Sequence, residues 1–140
     1  DDQLREQIAL AVAKANGCRY CVCAHMEIGR SLGLTDQEMT RNRRGLSLDP
    51  RVAAALHFAL AVIGKRGDVT DDDLRDVKEA GYRNGQVAEI VAHAAMNALT
   101  NWINKVWQTP VDFPPAEDLP EAGEYVPHEP RPARPREPGT

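Results

Sequence analysis

Proline divides this chain. Nine of its ten prolines fall in residues 110–140 and the tenth is Pro50. The first 109 residues are therefore almost free of the residue that interrupts helices and central strands alike. Alanine and aliphatic side chains recur there three and four positions apart. Leu4, Ile8, Ala11, Val12 and Ala15 make one stripe over residues 3–15, closed by Asn16-Gly17. A second helix is expected over 18–32, with Cys18, Cys21, His25, Ile28 and Leu32 on one face and Gly33 after it. A third starts at Thr35, where Thr35 and Glu38 form a capping-box pattern, and stops before Gly45. Asp49 and Pro50 read as N-cap and first residue of a fourth, with Val52, Leu56, Ala59, Leu60 and Ile63 as its stripe and Gly64 at its end. A fifth runs from Thr70, with acidic residues in its first turn, to Gly81. The longest, over 86–107, carries Val87, Ile90, Val91, Ala94, Ala98, Leu99, Trp102, Ile103 and Val106.

Period-2 alternation does not survive for five residues anywhere in this region, so the fold class is all-α, with about six helices. Residues 1–109 form one helical domain, and residues 110–140 an extended, proline-rich tail that must lie against its own domain or a neighbouring subunit. The domain holds 14 Lys/Arg against 14 Asp/Glu, and the tail 3 against 7, so the net charge of −4 comes from the tail. A balanced domain with an acidic tail is not a nucleic-acid binder. No apolar run reaches the roughly 18 residues of a membrane span. The chain opens Asp1-Asp2-Gln3, charged and without Met; we expect no secretory leader, and further residues before this point. Three cysteines are too few, and odd in number, for a disulfide-stapled secreted scaffold. A cytoplasmic protein whose cysteines do chemistry is the better expectation. The wide apolar face of the last helix points to a homo-oligomer.

The chemistry lies in Gly17-Cys18-Arg19-Tyr20-Cys21-Val22-Cys23-Ala24-His25. On a helix, Cys18 and Cys21 stand at i and i+3, within reach of a disulfide, and Cys21 and His25 at i and i+4. A free thiol with a pKa of about 8.5 is only a few per cent ionised at pH 7; a helix N-terminus and a neighbouring His both favour the thiolate. A helical hairpin through Asn16-Gly17 would bring Glu6 back toward His25, where a carboxylate orients the imidazole. Three other readings remain open at this point. Cys-x-x-Cys is commonly thioredoxin-like, but no strand precedes it. Cys18, Cys21 and His25 could bind zinc, but a fourth ligand is lacking. The cysteines could also be small core residues.

The pattern Glu6-x11-Cys18-x2-Cys21-x3-His25 resembles the signature of the alkyl hydroperoxidase D-like proteins, in the peroxidase-related branch of the carboxymuconolactone decarboxylase superfamily. The resemblance extends to the helix order, to Asn97, Thr100, Asn101 and Asn104 on the long last helix, and to Val111-Asp112-Phe113-Pro114 after it. It implies an all-helical, homo-oligomeric thiol oxidoreductase, a trimer or hexamer, that reduces peroxides without a bound cofactor. Cys21 would attack the peroxide, Cys18 would resolve the sulfenic acid to a disulfide, and His25 with Glu6 would relay the proton. A dithiol, lipoyl or thioredoxin-type donor would reset the pair through Cys18. Tyr20 stands where the best-known members carry a second His; a phenol is a poor base at pH 7, which thins the relay. Lactone decarboxylation is not implied, because the decarboxylases lack the cysteine pair. The alternatives are a disulfide reductase or adaptor, and a redox-sensing helical oligomer.

The remaining residues have simpler readings. Cys23, on the opposite helix face, is expected to be a buried small residue. His57 and His93 read as structural or interface histidines, and Trp102 and Trp107 as core or subunit interface. Arg41, Arg43 and Arg44 read as a solvated helix C-terminus. Asn97, Asn101 and Asn104 form a polar strip facing a pocket or a contact.

Overall fold

The computed structural model describes residues 1–116, and these contain six α-helices: α1 (Asp2–Ala15), α2 (Arg19–Ser31), α3 (Asp36–Asn42), α4 (Pro50–Gly64), α5 (Asp71–Glu79) and α6 (Asn84–Val106). No strand occurs among the described residues. The tail read from composition begins at residue 110; its part beyond residue 116, with His128, lies outside the described residues.

α1 is the hub, lying against α2, α3, α4 and α6. Its consecutive residues from Gln7 to Ala13 are all buried, so it is enclosed on every side and not along one stripe. The alanines at 9, 11 and 13 make this feasible, because small side chains let neighbouring backbones approach on several faces. Ile8, Ala11 and Val12 join Leu56, Phe58, Ala59 and Leu60 of α4, Val77 of α5 and Val87, Ile90, Ala94 and Ala98 of α6 in the main core. A second apolar cluster lies on the α2–α3 side of α1: Leu10, Ala13, Cys18, Cys21, Val22, Met26 and Met39.

Local sequence sets the helix ends. Asp49 accepts from the Arg51 N–H ahead of Pro50. Thr70 and Asp73 form a full capping box, and Asp73 also pairs with Lys65. At α3 only half of the expected box forms. Thr35 Oγ1 accepts from the Glu38 N–H, but the Glu38 carboxylate turns to Asn42 Nδ2 and the Ser47 hydroxyl instead.

α6 differs from its sequence reading in what it buries. Val87, Ile90, Ala94 and Ala98 face the core, whereas Leu99, Trp102, Ile103 and Val106 are exposed. Trp102 and Trp107, at 56% and 77% exposure, are no part of this chain's core. Asn97, Ala98 and Asn101 remain buried in the same stretch, so these exposed apolar residues lie on the face of α6 turned away from the rest of the chain.

Candidate functional site

α1 ends in a Schellman turn. The Gly17 N–H reaches the Lys14 carbonyl at 3.0 Å and the Cys18 N–H the Ala13 carbonyl at 2.9 Å. The turn needs a left-handed residue, which Gly17 supplies with φ +64°. The chain then reverses at once into α2, and Cys18 becomes its N-cap: its sulfur accepts from the Cys21 N–H at 3.3 Å. The N-cap thus falls on Cys18, one position outside the first turn where the sequence put it.

Cys18 and Cys21 are joined in a disulfide, with Cα atoms 5.3 Å apart. Both are almost wholly buried, at 2% and 3% exposure, so a reactant reaches the sulfurs only where the surrounding side chains open a path. His25 lies one turn beyond Cys21. The reversal of chain direction at Gly17 carries Glu6 across to it, and Glu6 Oε2 lies 2.6 Å from His25 Nδ1. Both side chains keep contact with solvent, at 16% and 20% exposure. The hairpin therefore gathers all four candidate residues, Glu6, Cys18, Cys21 and His25, into two adjacent helices.

A third helix, α6, meets this hairpin, a contact that was not read from the sequence. Asn101 Oδ1 accepts from Asn16 Nδ2 at 3.0 Å, Lys105 Nζ donates to the Asn16 carbonyl at 2.7 Å, and Asn104 Nδ2 lies 3.6 Å from Cys21 Sγ. The polar strip on α6 thus grips the turn that carries the cysteines. The strip is legible in sequence; its target, 83 residues away for Asn104, is not.

Tyr20 sits half-buried, its ring edge-on to Phe113 with centroids 5.5 Å apart. Cys23 is a buried free thiol whose sulfur accepts from the Ala116 N–H at 3.4 Å. The first residues after α6 therefore pack on α2, which answers for this part of the tail what it lies against. His93 is half-buried, and its carbonyl accepts from Asn97 Nδ2. A separate cleft of about 160 Å³ lies between α1, α4 and α6, with Leu4, Ile8, Val52, Tyr82 and Ile90 among its lining; none of the four candidate residues borders it. There the Tyr82 hydroxyl donates to the Arg51 carbonyl, and burial pushes the phenol above its ordinary range against the opposing effect of the Arg51 guanidinium.

A dithiol/disulfide pair at a helix N-terminus, beside an imidazole held by a carboxylate, is equipped for two-electron thiol chemistry with coupled proton transfer. Residues 1–63 match the carboxymuconolactone decarboxylase family. No curated protein matches the sequence. Among solved structures, the chain is similar to one described as an alkylhydroperoxidase AhpD core, an uncharacterized peroxidase-related protein from Ralstonia eutropha JMP134: 27% identity and a TM-score of 0.70, covering 82% of this chain and 60% of that one. An uncharacterized peroxidase-related protein from Silicibacter sp. TM1040 shares the fold at 23% identity, with the same TM-score of 0.70 and the same coverage of 82% and 60%. The chain thus spans about 60% of the length of these relatives.

Proposed function

We propose that the chain, whose residues 1–63 match the carboxymuconolactone decarboxylase family and whose fold is similar to an alkylhydroperoxidase AhpD core, is an alkyl hydroperoxidase D-like, thiol-dependent peroxidase reducing alkyl or hydrogen peroxides through Cys18 and Cys21. The observation that carries the reading is the Cys18–Cys21 disulfide lying in the same hairpin as the Glu6–His25 pair. In the reduced protein the Cys21 thiolate attacks a peroxide oxygen. The O–O bond breaks, the alkoxide leaves with a proton from His25, and Cys21 becomes a sulfenic acid. The Cys18 thiol then gives its proton to His25 and attacks the Cys21 sulfur; the S–O bond breaks, and the departing hydroxide takes that proton from His25 and leaves as water, which regenerates the disulfide. A dithiol donor of lipoyl or thioredoxin type returns two electrons. Glu6 holds the imidazole through the cycle. Such turnover belongs in a reducing compartment, and the cytoplasm fits it. The second reading, a disulfide reductase or adaptor, is favoured by Tyr20: its ring packs on Phe113 and supplies no second imidazole.

The exposed face of α6, with Leu99, Trp102, Ile103 and Val106, supports assembly of copies of this chain into a homo-oligomer of three or six.

Mass-spectrometric thiol counting decides the main reading. One equivalent of an organic hydroperoxide should remove two thiols, mapped to Cys18 and Cys21, and Cys21→Ser should abolish peroxide consumption. Three thiols still free, with turnover of a disulfide substrate, would replace the peroxidase by the reductase.

A further inference from the structure

The Cys21 sulfur is buried, so a thiolate formed there has lost water as its hydrogen-bond donor, and the protein must supply one. The Asn104 side chain lies at that sulfur. Its Nδ2 is 3.6 Å from Cys21 Sγ and 3.0 Å from the Thr100 carbonyl oxygen. The second contact fixes the amide's orientation, because a flipped amide would set Oδ1 against a carbonyl oxygen and repel it. The two hydrogens on Nδ2 are then both used, one on the carbonyl and one on the sulfur. Asn104 is held from behind as well: Asn101 and Lys105, on either side of it on α6, bind Asn16 in the turn before Cys18.

We propose that Asn104 is a further catalytic residue, the donor that stabilises negative charge on Cys21 sulfur. This rests on the redox reading of the Cys18–Cys21 pair. The contact acts at two steps. In the reduced protein it favours the Cys21 thiolate over the thiol. In the resetting step, a thiolate of the dithiol donor attacks Cys18 Sγ. The Cys18–Cys21 bond breaks, its electron pair stays on Cys21 Sγ, and the Asn104 N–H is already directed at the atom that receives it. The donor's second thiolate then attacks the mixed disulfide and releases Cys18. The donor is oxidised by two electrons, and its two protons pass to the two cysteines. A lower basicity of the leaving sulfur speeds the first of these displacements.

The test reads Cys21 alone, in a Cys18→Ser background, by its reaction with a small neutral disulfide across pH 5–11, with the product mapped to Cys21 by mass spectrometry. Losing the donor in Asn104→Ala moves the inflection of the profile up by about one pH unit, the scale of a hydrogen bond to a charged group. Below both inflections the thiolate is then about tenfold scarcer but intrinsically more nucleophilic. The observed rate falls about threefold there and rises about threefold above both inflections. A merely structural role would not produce this crossing of the two curves. Asn104→Asp keeps the side chain's shape, removes the donor and adds a like charge, so its inflection moves further in the same direction. Asn104 is half-buried among exposed neighbours near the helix end, so both variants keep their circular-dichroism spectrum. A profile for either folded variant that overlies its parent overturns the proposal. The titration needs no peroxide. A protein that ignores peroxide while its Cys21 profile still answers to Asn104 would lose the peroxidase reading and keep this contact.

Discussion

Reducing the Cys18–Cys21 bond should cost the fold about 2 kcal/mol and leave it folded. The two cysteines are three residues apart in sequence, so the bond closes a loop of only four. The chain-entropy relation for a loop that short gives about 6 cal/mol/K, or about 1.9 kcal/mol at 25 °C. Other interactions at the site survive reduction. The Cys18 sulfur can still accept from the Cys21 N–H as the N-cap of α2, and both side chains stay packed among Leu10, Ala13, Val22, Met26 and Met39. The main core, built from α1, α4, α5 and α6, does not include the pair. Against a domain stability of about 5–15 kcal/mol, a loss near 2 is affordable. It corresponds to a fall in Tm on the order of 5–10 °C for a chain of this size. Urea unfolding followed by circular dichroism, with and without a phosphine reductant, measures it directly. A reduced protein with no cooperative transition, or a difference beyond about 5 kcal/mol, would refute the reasoning. The bond would then be a staple on which the fold depends, and a protein that unfolds each time it is reduced cannot cycle.

Three further predictions concern the relay, the capping and the outer face. Glu6→Ala leaves His25 without its carboxylate and should slow peroxide-driven thiol loss at least about tenfold, read by stopped-flow, while the fold is retained. For Asp73, burial raises the carboxyl, but hydrogen bonds and charge from Lys65 and the hydrogen bonds from Thr70 outweigh it and hold it below its ordinary value of 3.8. A folded value below the unfolded one means stability that is present above pH 4 and lost as pH falls through the folded value. Asp73→Asn should therefore cost about 1 kcal/mol at pH 7, and the gap to wild type should close as urea melts are taken down toward pH 2; a gap constant with pH would refute it. Trp102→Glu combined with Val106→Glu places charge on the exposed face of α6 and should reduce the particle mass measured by light scattering to that of one chain.

Much of the fold was legible because its punctuation is local. Asn16-Gly17 marks the turn, and Asp49-Pro50 and Thr70 each mark a helix start by a side chain bonding to an N–H two or three residues on. Thr35 and Glu38 satisfy the same local pattern as Thr70 and Asp73, yet of these two pairs it is the second that closes a box. What separates them is a non-local fact: Ser47, arriving from the α3–α4 connection, competes for Glu38. The stripe of α6 was equally visible, but 3.6-residue periodicity reports only that a face is apolar, not what covers it. Leu99 and Trp102 lie on the face opposite Ala98 and Asn101, and which of the two faces the rest of the chain covers is set by how α1 and α2 pack there, which no residue of α6 encodes. The Glu6–His25 approach was reachable from sequence because a single tight turn connects their helices. The Asn104–Cys21 approach was not, because the whole of α3, α4 and α5 lies between.

The grip of α6 on the cysteine turn has a consequence for how this sequence can change over generations. Each residue added to a helix turns everything after it by roughly 100°. Asn101, Asn104 and Lys105 meet the hairpin, while Trp102, Ile103 and Val106, interleaved with them, face outward. One residue deleted between Asn84 and Asn101 would swing the amide off the sulfur and bring Trp102 to the place of Asn101, and one inserted there would bring Ile103 to the place of Asn104. Substitutions along this helix can be absorbed one at a time, but a change of its length cannot. Among homologues with this cysteine pair, gaps should therefore accumulate in the connection of residues 65–70, where no such double constraint exists, and be missing from α6.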